Sequence, residues 1–600
     1  SKPIKKELLM KRLHVLLLAS LWLALGACQP VSEDAPVLDA ALSDMTAPAE
    51  PEAGWTKGAM VAAADPRAVE AGLEVLREGG NAIDAAIAVH AVLGLVEPQS
   101  SGIGGGAFML FFERETGEIT VFDGRETAPM IADKNLFMQD GKPLDFVSAW
   151  QSGRSVGTPS VVALYGRAHD FGGKADWSRL FAPAISLAEN GFEVSPRLAE
   201  VLSSPRLRQI TRLDDHPVSA AYFYPNGQPL EAGMLRDNPA YAQTLRAIAE
   251  QGTDGFYNLS MARAIADVVA EPPLPGLLDM KDIMSYEVKI RAPLCGNWRT
   301  YRICSAPPPS SGGVVQNMIP NLYDRLLPES ASDTDRLRAF VDAQRLTYAD
   351  RDHYVADSDQ VQVPAEDLID PAYLDARATQ VFAPSATPRP GDPGVILGRG
   401  SMIGMWGQDP TIDSPGTTHI SIVDLEGNAV SMTATIESAF GNARMVNGFL
   451  LNNELTDFAL LPEKGGRPVA NAPAAGKRPR SSMSPTLVFD QAGDLQLVTG
   501  SPGGNSIVAY VAKTVLGVLA WGDTPQEAAG RANIIARGQT VRVEVSRPGG
   551  AEAAQSLRDL GYSVAESESE ASGLHLIQIT EDGLLGGADP RREGAALGLP

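Results

Sequence analysis

Positive charge is in short supply in this chain. Lys and Arg number 50 against 73 Asp and Glu, a formal net charge of −23 over 600 residues. A nucleic-acid partner needs a basic face, so that class of ligand is set aside. Histidine and cysteine are scarcer still. His14, His90, His169, His216, His353, His419 and His575 are scattered, and none stands at metal-ligand spacing from another His or from a Cys. No metal or other cofactor is implied. The glycines at 104–106 lack the Lys-Ser/Thr that completes a phosphate-binding loop. No internal repeat is present. Beyond Leu13–Leu25 no run is long and apolar enough to span a bilayer. What remains is an ordinary globular composition, 44% hydrophobic and 20% charged. Its length calls for a large domain or two intertwined halves handling small molecules.

The one apolar run lies in "MKRLHVLLLASLWLALGAC", with a basic start and small residues before Cys28. It reads as a signal peptide over residues 1–28. "LGAC" resembles a bacterial lipobox, which makes Cys28 the lipidated first residue of an exported lipoprotein on the periplasmic face of a membrane. The other reading is a plain secretory signal with a chance cysteine. Residues 29–54 carry acids, prolines and alanines without one basic residue, and read as a disordered tether, with order beginning near Trp55. Cys295 and Cys304 flank "GNWRTYRI". A hairpin turning at Arg299–Thr300 sets them face to face, either as a disulfide or as two reduced thiols.

Within the folded part, "DPRAVEAGLEVLREGGNAIDAAIAVHAVLGLVEP" predicts two helices. Asp65 caps the first, "GGN" at 79–81 breaks the chain, and the second ends at Glu97 before Pro98. The second is apolar almost all round and is expected to be buried. "GAFMLFFERETGEITVFDGRE" predicts a strand pair, 160–280 is helical, and 383–416, rich in Pro and Gly, predicts a long mobile segment.

That segment ends in Gly416 and opens into "TTHISIVDLEGNAVSMTATIE". A three-residue loop, Leu425–Gly427, closes a hairpin because its last position takes a left-handed backbone. Counting back, Ser421 faces Ser431, His419 faces Thr433 and Thr417 faces Thr435. The other face pairs Ile422 with Val430, Ile420 with Met432 and Thr418 with Ala434. One face is polar and the other almost wholly apolar. A threonine hydroxyl is a weak nucleophile and needs a base. A cut between Gly416 and Thr417 would free an α-amine with a reference pKa of roughly 8 to serve as one. The plain reading of the same residues is two β-formers after a loop. His419 is a structural neighbour on this register.

Other motifs decide between them. "GGNAIDAA", "PQSSGIGGGAFML", "DGRETAP", "APPPSSGG", "GTTHISIVD", "GFLLNNELTDF", "KRPRSSMSPT", "GSPGG" and "GADPRR" stand in this order over residues 57–592. In this the chain resembles the γ-glutamyltransferase family of N-terminal-nucleophile hydrolases. The resemblance implies an α+β fold, a four-layer αββα sandwich. It implies a precursor that cuts itself into a large subunit, 55–416, and a small catalytic subunit, 417–600, which stay together. Thr417 is then processing residue and nucleophile, and Thr435 its hydrogen-bond partner. Gly503 and Gly504 match the oxyanion hole. Arg125, Ser481 and Ser482 match the groups that hold the carboxylate of a γ-glutamyl substrate such as glutathione, and Glu454 and Asp457 those that hold its ammonium. The implied reaction is acyl transfer through a γ-glutamyl ester to water, an amino acid or a peptide.

Two departures bear on specificity. Glu437 stands where some family members have Asn, so an added carboxylate meets the glutamyl end. The stretch 458–480, matching a lid loop, has no Tyr or Trp. Both keep open an acylase of the same fold acting on glutaryl or cephalosporin-type amides. A non-catalytic lipoprotein that binds ligands is the third reading.

Overall fold

The computed structural model describes residues 52–409, 411 and 416–600. Cys28 and the signal-like segment lie outside the described residues. Glu52–Ala53 (β1) pairs in parallel with Ala595–Gly598.

In chain order the main strands continue with Trp55–Thr56 (β2), Met60–Ala63 (β3), Gly106–Glu113 (β4), Glu118–Gly124 (β5) and Lys289–Arg291 (β6). Next come Leu294–Trp298 (β7), Tyr301–Ser305 (β8), Gly416–Val423 (β9), Ala429–Glu437 (β10), Thr486–Phe489 (β11) and Leu495–Thr499 (β12). His575–Thr580 (β13), Gly583–Ala588 (β14) and Ala595–Gly598 (β15) complete the set. They form two sheets. One has the order β1-β15-β3-β9-β10-β4-β5-β6, the other β7-β8-β11-β12-β13-β14-β2.

The outer face of the first sheet is covered by Pro66–Arg77 (α1), Ala82–Val96 (α2) and the helices between 161 and 269. Asp65 caps α1 through Arg67 N, with Pro66 in the first turn. Asn81 and Asp84 form a reciprocal capping box on α2, which is buried at every position but Gly94. The second sheet is covered by Gly312–Leu326 (α3), Asp333–Tyr354 (α4) and Ile507–Leu516 (α5). Helix, sheet, sheet, helix is the four-layer sandwich expected. The run Gly504–Trp521 is 18 residues long and apolar enough to pass for a membrane span. It is 83% buried here, so its hydropathy reflects a core position. Residues Ile534–Ser567 add a small three-stranded sheet with one helix, whose core includes Val341 of α4.

The β9–β10 hairpin sits at the centre of the first sheet. Its register is the one counted from sequence: Thr417 opposite Thr435, His419 opposite Thr433 and Ser421 opposite Ser431. Gly427 closes it at φ +83°. The apolar face (Ile420, Ile422, Val430, Met432, Ala434) packs against the helices. The polar face looks across at the second sheet, where Ser421 Oγ donates to His575 O and Ser431 Oγ to Thr499 O. Cys295 pairs with Cys304 across the β7–β8 hairpin as a disulfide.

The stretch 383–416, where it is described, is mostly irregular chain. A short helix, Pro393–Ile396, is tied down by Asp392, which accepts from Val395 N, Met402 N and Ser401 Oγ. Residues 410 and 412–415 lie outside the described set.

Candidate active site

Thr417 is the first residue after a β-bulge at the start of β9. Its Oγ lies 3.1 Å from Thr435 Oγ and donates to it. The Thr435 hydroxyl donates in turn to Gly416 O at 2.8 Å and accepts from Glu437 N at 2.8 Å. One hydroxyl thus touches both the Thr417 hydroxyl and the carbonyl of the residue before it. Gly416 is required for a second reason besides chain freedom. A Cβ there would stand 2.3 Å from Glu437 O and 2.4 Å from Ser438 C. The glycines of "GIGGG" serve the same end: a Cβ on Gly105 would lie 1.9 Å from Thr435 O, so only glycine lets this loop back the strand.

His419 bridges Thr433 Oγ and Ser421 Oγ at 2.9 and 3.0 Å. Burial, and then the neighbouring His575, hold its pKa well below the usual range. It belongs to the sheet interface, as its register implies.

The residues expected to bind substrate converge from distant parts of the chain. Arg125, at the end of β5, is 1% exposed and pairs with both Glu454 and Asp457. Its fork is fixed from behind: Nε donates to Pro479 O at 3.1 Å and Nη2 to Arg480 O at 2.7 Å. The cation and the acids assigned to opposite ends of a substrate are therefore in mutual contact. An α-amino acid head group carries the complementary pair of charges and can exchange into such a cluster without a net charge being buried. Ser481 N donates to Pro309 O, and Ser481 O accepts from Ser311 N, so "APPPSSGG" is the support on which "RSSMS" rests. Glu437 is buried with φ +78°. Its carboxylate accepts from Ser438 Oγ and Asn453 Nδ2.

The "SPGG" turn takes positive φ at both glycines, +131° at Gly503 and +54° at Gly504. A Cβ on Gly503 would meet the Tyr510 ring at 2.4 Å. The turn runs through Gly504–Ser506 into α5, and Gly504 and Ile507, at the start of that helix, line the site. Arg125, Thr417, Thr435, Glu437, Glu454, Asp457, Ser481, Ser482 and Gly504 line one small pocket, together with Met483 and Ile507. Gly503 is not part of that lining.

Three further residues support the site; Asn452 and Glu126 stand inside "GFLLNNELTDF" and "DGRETAP", and Arg351 stands outside every motif. Arg351, buried in α4, donates to Ser482 Oγ and to Ser311 Oγ. Its only signal is the dense charge of "YADRDHY" in a helix that is otherwise core. Asn452 holds Gly157 N, Gly157 O, Gly104 O and Glu454 N. Glu126 is fully buried 4.0 Å from Arg125. Burial pushes its carboxyl up to about 8 against the pull of that guanidinium. Among the described residues no group of three or more His, Cys, Asp or Glu is arranged to hold a metal ion.

Two sheets face to face between helical layers, with a threonine opening a central strand, define an N-terminal-nucleophile hydrolase sandwich. The solved structure of a cephalosporin acylase from Bacillus halodurans is similar over 93% of this chain and 99% of that one, with a TM-score of 0.79 and 25% identity. A family model described as gamma-glutamyltranspeptidase matches residues 68–599. The glutathione hydrolase proenzyme of Bacillus subtilis (strain 168) is 35% identical over 554 residues, 90% of this chain and 92% of that protein. That of Escherichia coli (strain K12) is 34% identical over 550 residues, 89% and 90% of the two chains. The chain belongs to the γ-glutamyltranspeptidase family.

Proposed function

We propose that this enzyme cuts itself before Thr417 and then transfers γ-glutamyl groups from glutathione and related amides to water, amino acids or peptides. The observation that carries the reading is the Thr435 hydroxyl, set between Gly416 O and Thr417 Oγ above a pocket of paired charges. In the cut, Thr417 Oγ attacks the Gly416 carbonyl carbon. The amide becomes an ester, and water hydrolyses it to leave a free α-amine on Thr417. In turnover that amine takes the hydroxyl proton while Oγ attacks the γ-carbonyl. The N–H groups at Gly503 and Gly504 receive the oxyanion, the proton passes to the departing amine, and the acceptor then cleaves the γ-glutamyl ester. The α-carboxylate goes to Arg125, Ser481 and Ser482, and the ammonium to Glu454 and Asp457, with Glu437 at the rim of the same end.

Staying together after the cut follows from topology. β9 and β10 of the small piece are flanked in one sheet by β3 and β4 of the large piece. The product is a large–small heterodimer divided at 416/417. Export as a lipoprotein anchored through Cys28 to a periplasmic membrane face is the reading for the N-terminus. It rests on the "LGAC" pattern, and the Cys295–Cys304 disulfide suits an oxidising compartment.

Release of p-nitroaniline from γ-glutamyl-p-nitroanilide tests the assignment. Cut protein is expected to turn it over and Thr417→Ala to be inert. The likeness to a cephalosporin acylase keeps one other substrate class in view. Cut protein that turns over glutaryl-p-nitroanilide but not the γ-glutamyl anilide would make the chain an acylase.

A further inference from the structure

Arg351 is fully buried in α4, behind the Ser481–Ser482 turn and outside the pocket lining. Its guanidinium is held on three sides. Nη2 donates to Ser482 Oγ, and Nε donates to Ser311 Oγ at 3.1 Å. Nη1 donates to Asp352 Oδ1 at 2.7 Å. Asp352 keeps a second cation, since Arg537 Nε donates to its Oδ2 at 2.9 Å.

A guanidinium has donors only, so Ser482 Oγ must accept from Arg351. The single proton of that hydroxyl is then turned away from α4. Asn505 Oδ1 stands 3.5 Å from Ser482 Oγ, at the long limit of a hydrogen bond. A substrate carboxylate in the pocket is a stronger acceptor. Ser481 is set in the same sense by a different group, because its Oγ accepts from Met483 N at 3.2 Å. The backbone of the turn is held without Arg351: Ser481 N donates to Pro309 O at 2.9 Å, and Ser311 N to Ser481 O at 2.8 Å. What Arg351 adds is the direction of one O–H. Ser311, Arg351, Ser481 and Ser482 all lie outside 383–416, so none of these contacts involves the segment ahead of the scissile bond.

We propose that Arg351 of the large subunit is a positioning residue for the substrate's α-carboxylate, acting through Ser482 of the small subunit by turning its hydroxyl proton toward the pocket. This rests on the γ-glutamyl reading of the pocket. The Arg351→Met variant tests it, with self-cleavage into two pieces and circular dichroism as checks on folding. The KM for γ-glutamyl-p-nitroanilide is expected to rise about tenfold, with kcat within about threefold of wild type. The inhibition constants of L-glutamate and of glutarate, which both keep this carboxylate, rise about tenfold as well. That of 4-aminobutyrate, which is glutamate without it, stays within about twofold. In a Ser482→Ala background no hydroxyl is left to aim, so adding Arg351→Met raises KM by no more than about twofold. Should Arg351→Met fail to fold, Arg351→Met combined with Asp352→Asn removes both charges of the buried pair and is expected to show the same pattern. A fall in kcat at unchanged KM, equal weakening of all three inhibitors, or a full tenfold rise in the Ser482→Ala background overturns the proposal. If wild type turns over the γ-glutamyl anilide and Arg351→Met matches it, this proposal alone fails. If wild type shows no γ-glutamyl turnover, the reading beneath it fails as well.

Discussion

Replacing Thr435 by valine removes one hydroxyl and preserves the shape of the side chain. The hydroxyl has three partners: it donates to Gly416 O and accepts from Thr417 Oγ and Glu437 N. Two costs follow, and they fall on different measurements. In the folded ground state Gly416 O and Glu437 N lose a partner while buried, which costs about 1–3 kcal/mol for each group left unsatisfied. In the cut, Gly416 O becomes an oxyanion. A donor aimed at such an atom is worth about 10²–10³ in rate, or roughly 2.7–4 kcal/mol. Self-cleavage is therefore expected to slow by at least about 100-fold in Thr435→Val at temperatures where the protein remains folded. Thr435→Ser keeps the hydroxyl and should stay within about tenfold of wild type. The assay is the time course of the uncut chain by intact mass, with circular dichroism on the same samples. Thr435→Val processing at the wild-type rate while folded would refute the role assigned to this hydroxyl.

Gly416→Ala places a methyl group against Glu437 O and Ser438 C, so the scissile peptide must shift; self-cleavage is expected to stall with Thr417 intact, and a normally processed variant contradicts the close fit. Arg125→Gln leaves Glu454 and Asp457 buried without their cation, and breaking a buried pair costs about 3–5 kcal/mol. Melting temperature should fall and the KM for γ-glutamyl-p-nitroanilide rise by about 100-fold or more; an unchanged KM argues against carboxylate binding at this residue. His575 is buried, and burial draws its pKa down to about 4. The unfolded chain takes up that proton below its reference value of roughly 6.5 while the folded chain does not, so stability contributed by neutral His575 is lost as pH falls from there to about 4. Wild type should lose about 3 kcal/mol more over that window than His575→Asn, measured by denaturant unfolding at each pH; parallel profiles would contradict it.

The hairpin is legible in the sequence because two local rules agree there. Side-chain alternation fixes which residues share a face, and Gly427 fixes where the strands turn, so counting alone sets Thr417 opposite Thr435. The cap Asp65 is legible for the same reason, since a cap is a contact within one turn. Contacts between distant segments leave weaker traces. That Arg125 touches Glu454 and Asp457 depends on the end of β5 and the helical turn Glu454–Asp457 being brought together, which no local period records. Arg351 is one charge among many in its helix until the fold sets it against Ser482. The pairing of β1 with β15 joins opposite ends of the described chain, which composition does not record. In the stretch before Gly416 prolines and glycines dominate the composition, and the hydrogen bonds that Asp392 and Asp409 make in its described parts leave no trace there.

The central claim is that Thr417 makes its own α-amine by cutting the chain and then uses it. Intact mass spectrometry of the purified protein beside Thr417→Ala tests this directly. Wild type is expected as two pieces, the smaller beginning at Thr417, with the variant whole. A folded wild-type protein that stays one uncut chain has no free amine at Thr417, and the account of its chemistry would be wrong.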